Sequence, residues 1–213
     1  MQYEGFNRQD FEVFSIPGLE NRMSAIRERI QPKFQTLGKR LTDELAFSLG
    51  QEMFLHIAKH ARRTVNPPKD TWLAIAGNKR GYKKHPHFQL GLFDDHLFLW
   101  LAFIYELPNK GEIAGRLIQN VDKLQELIPK DFVISTNHME KEATPVRELD
   151  LLDVLRQFQK VKQRELLIGR QIPRENPIVQ DGDQLIAVAL DTFQSLVPVY
   201  QLALSSDVAP ISI

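Results

Sequence analysis

The hydrophobic period of this chain first changes at Asn66-Pro67-Pro68, and that change limits the fold more than any other feature. Before the prolines, Leu19, Met23, Ile26 and Ile30 stand at i, i+4, i+7 and i+11, the stripe of an amphipathic helix. Pro32 is expected to end that helix, and a second helical pattern runs from Leu41 to about Arg63. After the prolines come short aromatic or branched runs, Thr71 to Ala76, Phe88 to Phe93 and Leu97 to Tyr105, separated by Gly, Asn and Asp. These read as strands. The second alternates Phe88, Leu90 and Leu92 against His87, Gln89 and Gly91, which predicts one buried and one more polar face. The third is apolar throughout, as a central strand is, and Asp94, Asp95 and His96 join the two tightly enough for an antiparallel pair.

Beyond Asn109 the pattern gives a helix (Glu112 to Leu127), a strand (Phe132 to Thr136), a helix (Leu149 to Val161), a strand (Glu165 to Gln171) and a last helix from Asp183 to about Gln201. Pro198 should kink or end that last helix. The expected class is α+β: a single domain over residues 1–204, with a mainly antiparallel sheet of about five strands covered by helices and a helical N-terminal third. Residues 205–213 read as a loose C-terminal tail.

With 213 residues, 43% of them hydrophobic, such a domain buries a full core without disulfides. The absence of cysteine excludes thiol nucleophiles, thiolate-bound zinc and iron–sulfur clusters. Met1 to Asp10 is polar and lacks the apolar core of a secretory signal, so a cytoplasmic location is expected. The longest apolar run, Leu97 to Tyr105, falls far short of the roughly 20 residues of a helical membrane span, so no membrane contact is expected.

The formal charge is zero, yet Lys59 to His87 holds eight Lys and Arg against one acid, Asp70, a local balance of +7 that leaves −7 on the rest. Such asymmetry is a footprint for anionic partners. Lys59, Arg62 and Arg63 lie before the prolines, and Lys79, Arg80, Lys83 and Lys84 lie in the long connection from Gly77 to Pro86. Arginine offers planar bidentate donors and lysine a point charge to phosphate, Asn66 and Asn78 add directional hydrogen bonds, and His85 is a further candidate ligand-binding residue. Tyr82, in the same connection, is the candidate stacking ring for a base; Trp72 and Phe88 suit a core better. The alternative for the cations is a solvated face.

Four of the six histidines, His56, His60, His85 and His87, fall in or beside this segment. On a helix reaching Arg63, His56 and His60 would share the inward face with Leu49, Met53 and Ile57. A His pair at i, i+4 is a possible chelate, but His-Glu-x-x-His is absent, His138-Met-Glu140 lacks the cysteines of zinc deaminases, and neighbouring cations would repel a dication; no metal is expected. Neither a nucleophile elbow nor a P-loop nor a dinucleotide-binding Gly motif is present, so no cofactor is expected. His60 and His87 are the candidate acid–base groups if a reaction occurs.

Lys59-His-Ala-Arg-Arg-Thr-Val-Asn-Pro-Pro-Lys-Asp-Thr-Trp72 and Lys79-Arg-Gly-Tyr-Lys-Lys-His-Pro-His-Phe-Gln-Leu-Gly91, with Asp10-Phe-Glu-Val-Phe14 and Gly18-Leu-Glu-Asn-Arg-Met23, resemble the YktB-like family of uncharacterised bacterial proteins. The resemblance spans nearly the whole chain and implies a single-domain α+β cytoplasmic protein, without a catalytic residue, cofactor or substrate to transfer. Three functions stay open. The first is a binding module for a phosphate-rich ligand, nucleic acid foremost, through residues 59–87. The second is an enzyme acting on a small phosphorylated metabolite or nucleotide, and the third an interaction protein whose basic segment docks on an acidic surface.

Overall fold

The central strand carries an apolar residue at nearly every position, so both faces of the sheet around it must be covered. In the computed structural model, which describes residues 3–205, that strand is β4 (His96–Phe103), buried at all eight positions. The sheet has seven strands in the order β1-β2-β3-β4-β7-β5-β6. They are β1 (Phe54–Ile57), β2 (Thr71–Ala76), β3 (His87–Leu92), β4, β5 (Val133–Ser135), β6 (Thr144–Pro145) and β7 (Leu166–Pro173), each antiparallel to its neighbours. Five match the strands expected from sequence to within a few residues; β1 and β6 are additional. The β3–β4 connection is closed by Phe93 N–H donating to the His96 carbonyl at 2.9 Å.

The helices are α1 (Arg8–Glu12), α2 (Leu19–Ala25), α3 (Gln31–Leu49), α4 (Lys110–Gln119), α5 (Val121–Leu127), α6 (Leu151–Lys160), α7 (Pro177–Gln180) and α8 (Gly182–Leu204). Pro32 does not end the first helix. A π-turn over Ile26–Ile30 joins α2 to α3 and places Pro32 in the first turn of α3, where its missing N–H costs little. Nor does α3 reach Arg63: Gly50 takes a left-handed φ of 63° and its N–H closes on Ala46 and Phe47 carbonyls. The residues beyond it resume as β1, with Leu55 and Ile57 toward the helices and His56 on the opposite face. Asn120 divides the expected Glu112–Leu127 helix into α4 and α5, its side-chain amide donating to the Arg116 carbonyl at 2.9 Å. Pro198 sits exposed inside α8 without ending it, because Leu196, Val197, Val199 and Tyr200 on either side are buried. By length and hydropathy alone α8 is long and apolar enough to cross a membrane, and half of its 18-residue apolar stretch is buried within this fold. Of the tail expected at 205–213, residues 206–213 lie outside those described.

One face of the sheet joins the helices in the main core, through Leu73, Ile75, Phe88, Leu90, Leu99 and Leu101 among others. The other face forms a second cluster around Trp72, Ala74, Phe98, Trp100, Ala102 and Leu167, and no residue of the α-helices belongs to it. Loops cover it instead. This corrects the expectation for β3, whose His87, Gln89 and Gly91 are buried as fully as Phe88, Leu90 and Leu92. Two glycines make room for the rings: a Cβ at Gly91 would lie 2.2 Å from the Phe98 ring, and one at Gly169 would lie 1.9 Å from the Leu99 carbonyl oxygen and 3.2 Å from the Trp100 ring. A backbone oxygen cannot rotate aside, so Gly169→Ala is expected to cost about 3 kcal/mol or more. A urea midpoint within error of the wild type would show that β4 and β7 can separate without cost.

Candidate functional site

The loop-covered face is held by hydrogen bonds between rings rather than by aliphatic packing alone. Trp72 Nε1–H donates to Tyr82 Oη at 2.9 Å, and the Tyr82 ring lies against His56 (centroids 4.9 Å) and edge-on to His87 (5.0 Å). Tyr82 opens a single 3-10 turn, Tyr82–Lys84, rather than a loose loop, and burial pushes its hydroxyl up to about 12. His87 is fully buried, with Nδ1–H donating to the His85 carbonyl at 2.7 Å and Nε2 accepting from the Gln89 amide at 2.8 Å. Burial pushes His87 down to about 4, consistent with a neutral ring whose two nitrogens are both committed to the fold.

Above this floor the chain between β1 and β2 meets the connection between β2 and β3. A cleft of about 350 Å³ is lined by Lys59, His60, Arg62 and Arg63 from the first segment and by Tyr82 and Lys83 from the second, with Trp72 in its floor. A second cleft of about 570 Å³ shares Lys59, Arg62, Tyr82 and Lys83 and adds His56, Lys84 and Glu106. His60 turns the first segment over the sheet with a left-handed φ of 49°, and Arg63 N–H donates to its carbonyl at 3.0 Å. Its Nε2 lies 3.1 Å from Thr71 Oγ1 and its ring meets the Trp72 edge at 5.5 Å. Burial first, and then the charges of Arg63 and Lys83, push His60 down to about 4.

The opposite wall comes from His138 and Met139, in the loop between β5 and β6. That loop is pinned twice. Lys141 pairs with Asp94 and, at 3.0 Å, with Asp95, while Glu165 accepts from His138 backbone N–H at 2.6 Å and lies 2.8 Å from its Nδ1. Glu165 is 1% exposed, and the Tyr105 backbone N–H also donates to it at 3.3 Å. Asp70, 2% exposed, is the single acid of the basic segment. Burial pushes its carboxyl up to about 6 against the opposing pull of His138, Arg63 and Lys83, and its Oδ2 has no hydrogen-bond partner among the described residues.

Of the residues singled out by sequence, Lys59, His60, Arg62, Arg63, Tyr82 and Lys83 converge on the first cleft, and Lys84 joins the second. Lys79 and Arg80 are exposed and line neither cleft. Asn66 and Asn78 act through their carbonyls, which accept from Arg63 at 3.4 Å and face His56 Nε2 at 2.9 Å. His85 holds His87 by its carbonyl. The pairing of His138 with Glu165 has no local motif in the sequence, because the two residues lie 27 positions apart. For Asp70, a lone acid among eight bases was itself the signal in the sequence.

A family model described as a domain of unknown function, DUF1054, matches residues 6–200 of the chain. A UPF0637 protein of Shouchella clausii is 57% identical over 206 residues, covering 97% of this chain and 98% of the relative. One from Oceanobacillus iheyensis is 54% identical over 202 residues, 95% of this chain and 98% of its own. One from Listeria welshimeri is 48% identical over 204 residues, 96% of this chain and all of the relative.

The buried carboxyl gives a pH test. Asp70 holds its proton to about pH 6 in the folded chain against 3.8 for the free group, so its ionisation costs stability progressively between those values and fully above them. In Asp70→Asn that cost disappears, while the opposite contribution of His60 and His87 is common to both proteins and cancels. The variant's stability relative to wild type is expected to rise by about 2 kcal/mol between pH 4 and pH 7. Urea unfolding at several pH values would reveal it, and a pH-independent difference would mean that Asp70 is not a strained carboxyl.

Proposed function

We propose, for a chain that belongs to the DUF1054 family of unknown function, that the paired clefts bind the phosphates and bases of a single-stranded nucleic acid. One observation carries this reading: cations from two segments separated by β2 surround two clefts that share a wall. A shared wall suits a ligand of more than one unit, with phosphates following the Arg62, Arg63, Lys83 and Lys84 rim and a base entering over Trp72 and Tyr82. Tyr82 is already locked between His56 and Trp72, so it offers a preformed surface and loses little freedom on binding. Neutral His56 and His60 leave the rim's positive charge to lysine and arginine, which keep it across the physiological pH range.

A second reading, a free nucleotide or small phosphorylated metabolite, is favoured by the concavity of the first cleft. Its volume falls within the roughly 300–1,000 Å³ usual for small-ligand sites. The two readings separate by length dependence.

Fluorescence anisotropy with labelled single-stranded RNA, single-stranded DNA and duplex DNA, titrated over salt, tests both. For single strands log affinity should fall with log salt by about 0.7 per phosphate contact. Arg62→Ala with Arg63→Ala should remove about two contacts' worth of slope and weaken all sequences alike. Affinity independent of strand length, matched by a mononucleotide, would favour the second reading. Unchanged affinity and slope in the double variant would reject this surface.

A further inference from the structure

The cleft contains one histidine arranged differently from the rest. His56 sets its Nε2 against the Asn78 carbonyl, and His60 its Nε2 against Thr71 Oγ1. His138 instead presents Nδ1 to the buried Glu165, whose two oxygens both lie 2.8 Å from it, while the same carboxylate fixes the loop through the backbone N–H. A neutral imidazole so held carries its proton on Nδ1 and a lone pair on Nε2. Among the described residues Nε2 has no hydrogen-bond partner, and the ring lines the cleft beside Arg62, Arg63 and Lys83. The ring plane is set by Tyr105, stacked at 6.4 Å, and by the edge of Trp72 at 6.2 Å. This is a base with its orienting carboxylate behind it, in a cleft whose lining also carries three cations. Among the described residues the lining contains no serine, threonine or cysteine, and the Tyr82 hydroxyl is engaged by Trp72, so these residues offer little as a nucleophile of their own.

We infer that His138 is the catalytic proton acceptor of this cleft, and that the strand is RNA, cleaved by attack of a ribose 2′-hydroxyl on the adjacent phosphate. The inference rests on the phosphate-binding reading above. His138 Nε2 takes the 2′-hydroxyl proton as O2′ bonds to phosphorus. The P–O5′ bond breaks, the departing oxygen takes a proton from solvent, and the imidazolium returns one to solvent. The products are a 2′,3′-cyclic phosphate and a 5′-hydroxyl, with no redox change and no water consumed. Arg62, Arg63 and Lys83 offset the added negative charge on the phosphorus oxygens. Glu165 is a positioning residue that fixes the tautomer.

The test uses the full chain with a labelled RNA oligonucleotide and its 2′-O-methyl counterpart, which keeps every phosphate and removes the nucleophile. The wild type is expected to bind both and cut only the RNA, leaving a cyclic phosphate. His138→Gln should cut at least about 100-fold more slowly, measured at RNA concentrations that saturate the variant so that any change in affinity does not enter the rate. Added imidazole should restore part of the rate to His138→Gly, which a merely structural role would not allow. In Glu165→Gln the rate should fall, and the ¹⁵N shifts of His138 should show proton density moving to Nε2. Binding without cleavage, or cleavage that survives His138→Gln, overturns this inference and leaves the binding function intact. Failure to bind either strand overturns both.

Discussion

The sheet has two faces to bury and α-helices for only one of them. Main-core packing accounts for the face under α3 and α8, where aliphatic and phenyl side chains meet in the ordinary way. The other face is closed by the segments between β1 and β2, between β2 and β3, and between β5 and β6. Loops bring backbone polar groups and turn residues with them, so the surface beneath must be able to form hydrogen bonds. That requirement explains why Trp72, Tyr82, His87 and Gln89 stand where a helix-covered sheet would carry valine and leucine. It also explains Gly91 and Gly169, which let the Phe98 and Trp100 rings lie flat enough for a loop to pass over them.

The same constraint shapes the electrostatics. Cations brought in by covering loops stand at the rim of a water-poor floor, where charge is screened weakly and its effect on neighbours is large. Burial keeps His60 and His87 neutral, reinforced at His60 by Arg63 and Lys83, and burial outweighs the same cations at Asp70. Glu165 escapes an unpaired burial because His138 and Tyr105 supply its donors. Stability and the electrostatics of the clefts are therefore set by one arrangement, in which Trp72, His87 and Glu165 have their partners within the fold while the Asp70 carboxyl keeps one buried oxygen without a hydrogen-bond partner among the described residues.

Fold class was legible because it depends on local signals: the change of period at the prolines, the apolar run that became β4, and the tight Asp94-Asp95 connection. What failed were the boundaries that depend on competition. The sequence from Leu41 to Arg63 carries helical spacing throughout, and a single left-handed Gly50 outweighs it. Pro32 and Pro198 look like terminators, yet a π-turn and dense packing absorb them. The cluster of cations was legible as composition. Its convergence was not, since a strand separates its halves, and the His138–Glu165 pair exists only because β5 and β7 are neighbours in the sheet.

On the proposed function, ligand enters over the loop-covered face at Trp72. The chain has two tryptophans, both on that face, of which Trp72 lines the first cleft and Trp100 is stacked on Phe98 beneath the loops. Their indole N–H resonances in a ¹H–¹⁵N spectrum, followed during titration with 2′-O-methylated single-stranded RNA, report the two positions separately. The Trp72 signal is expected to move saturably while that of Trp100 stays. Saturable binding that leaves Trp72 unmoved would contradict that proposal.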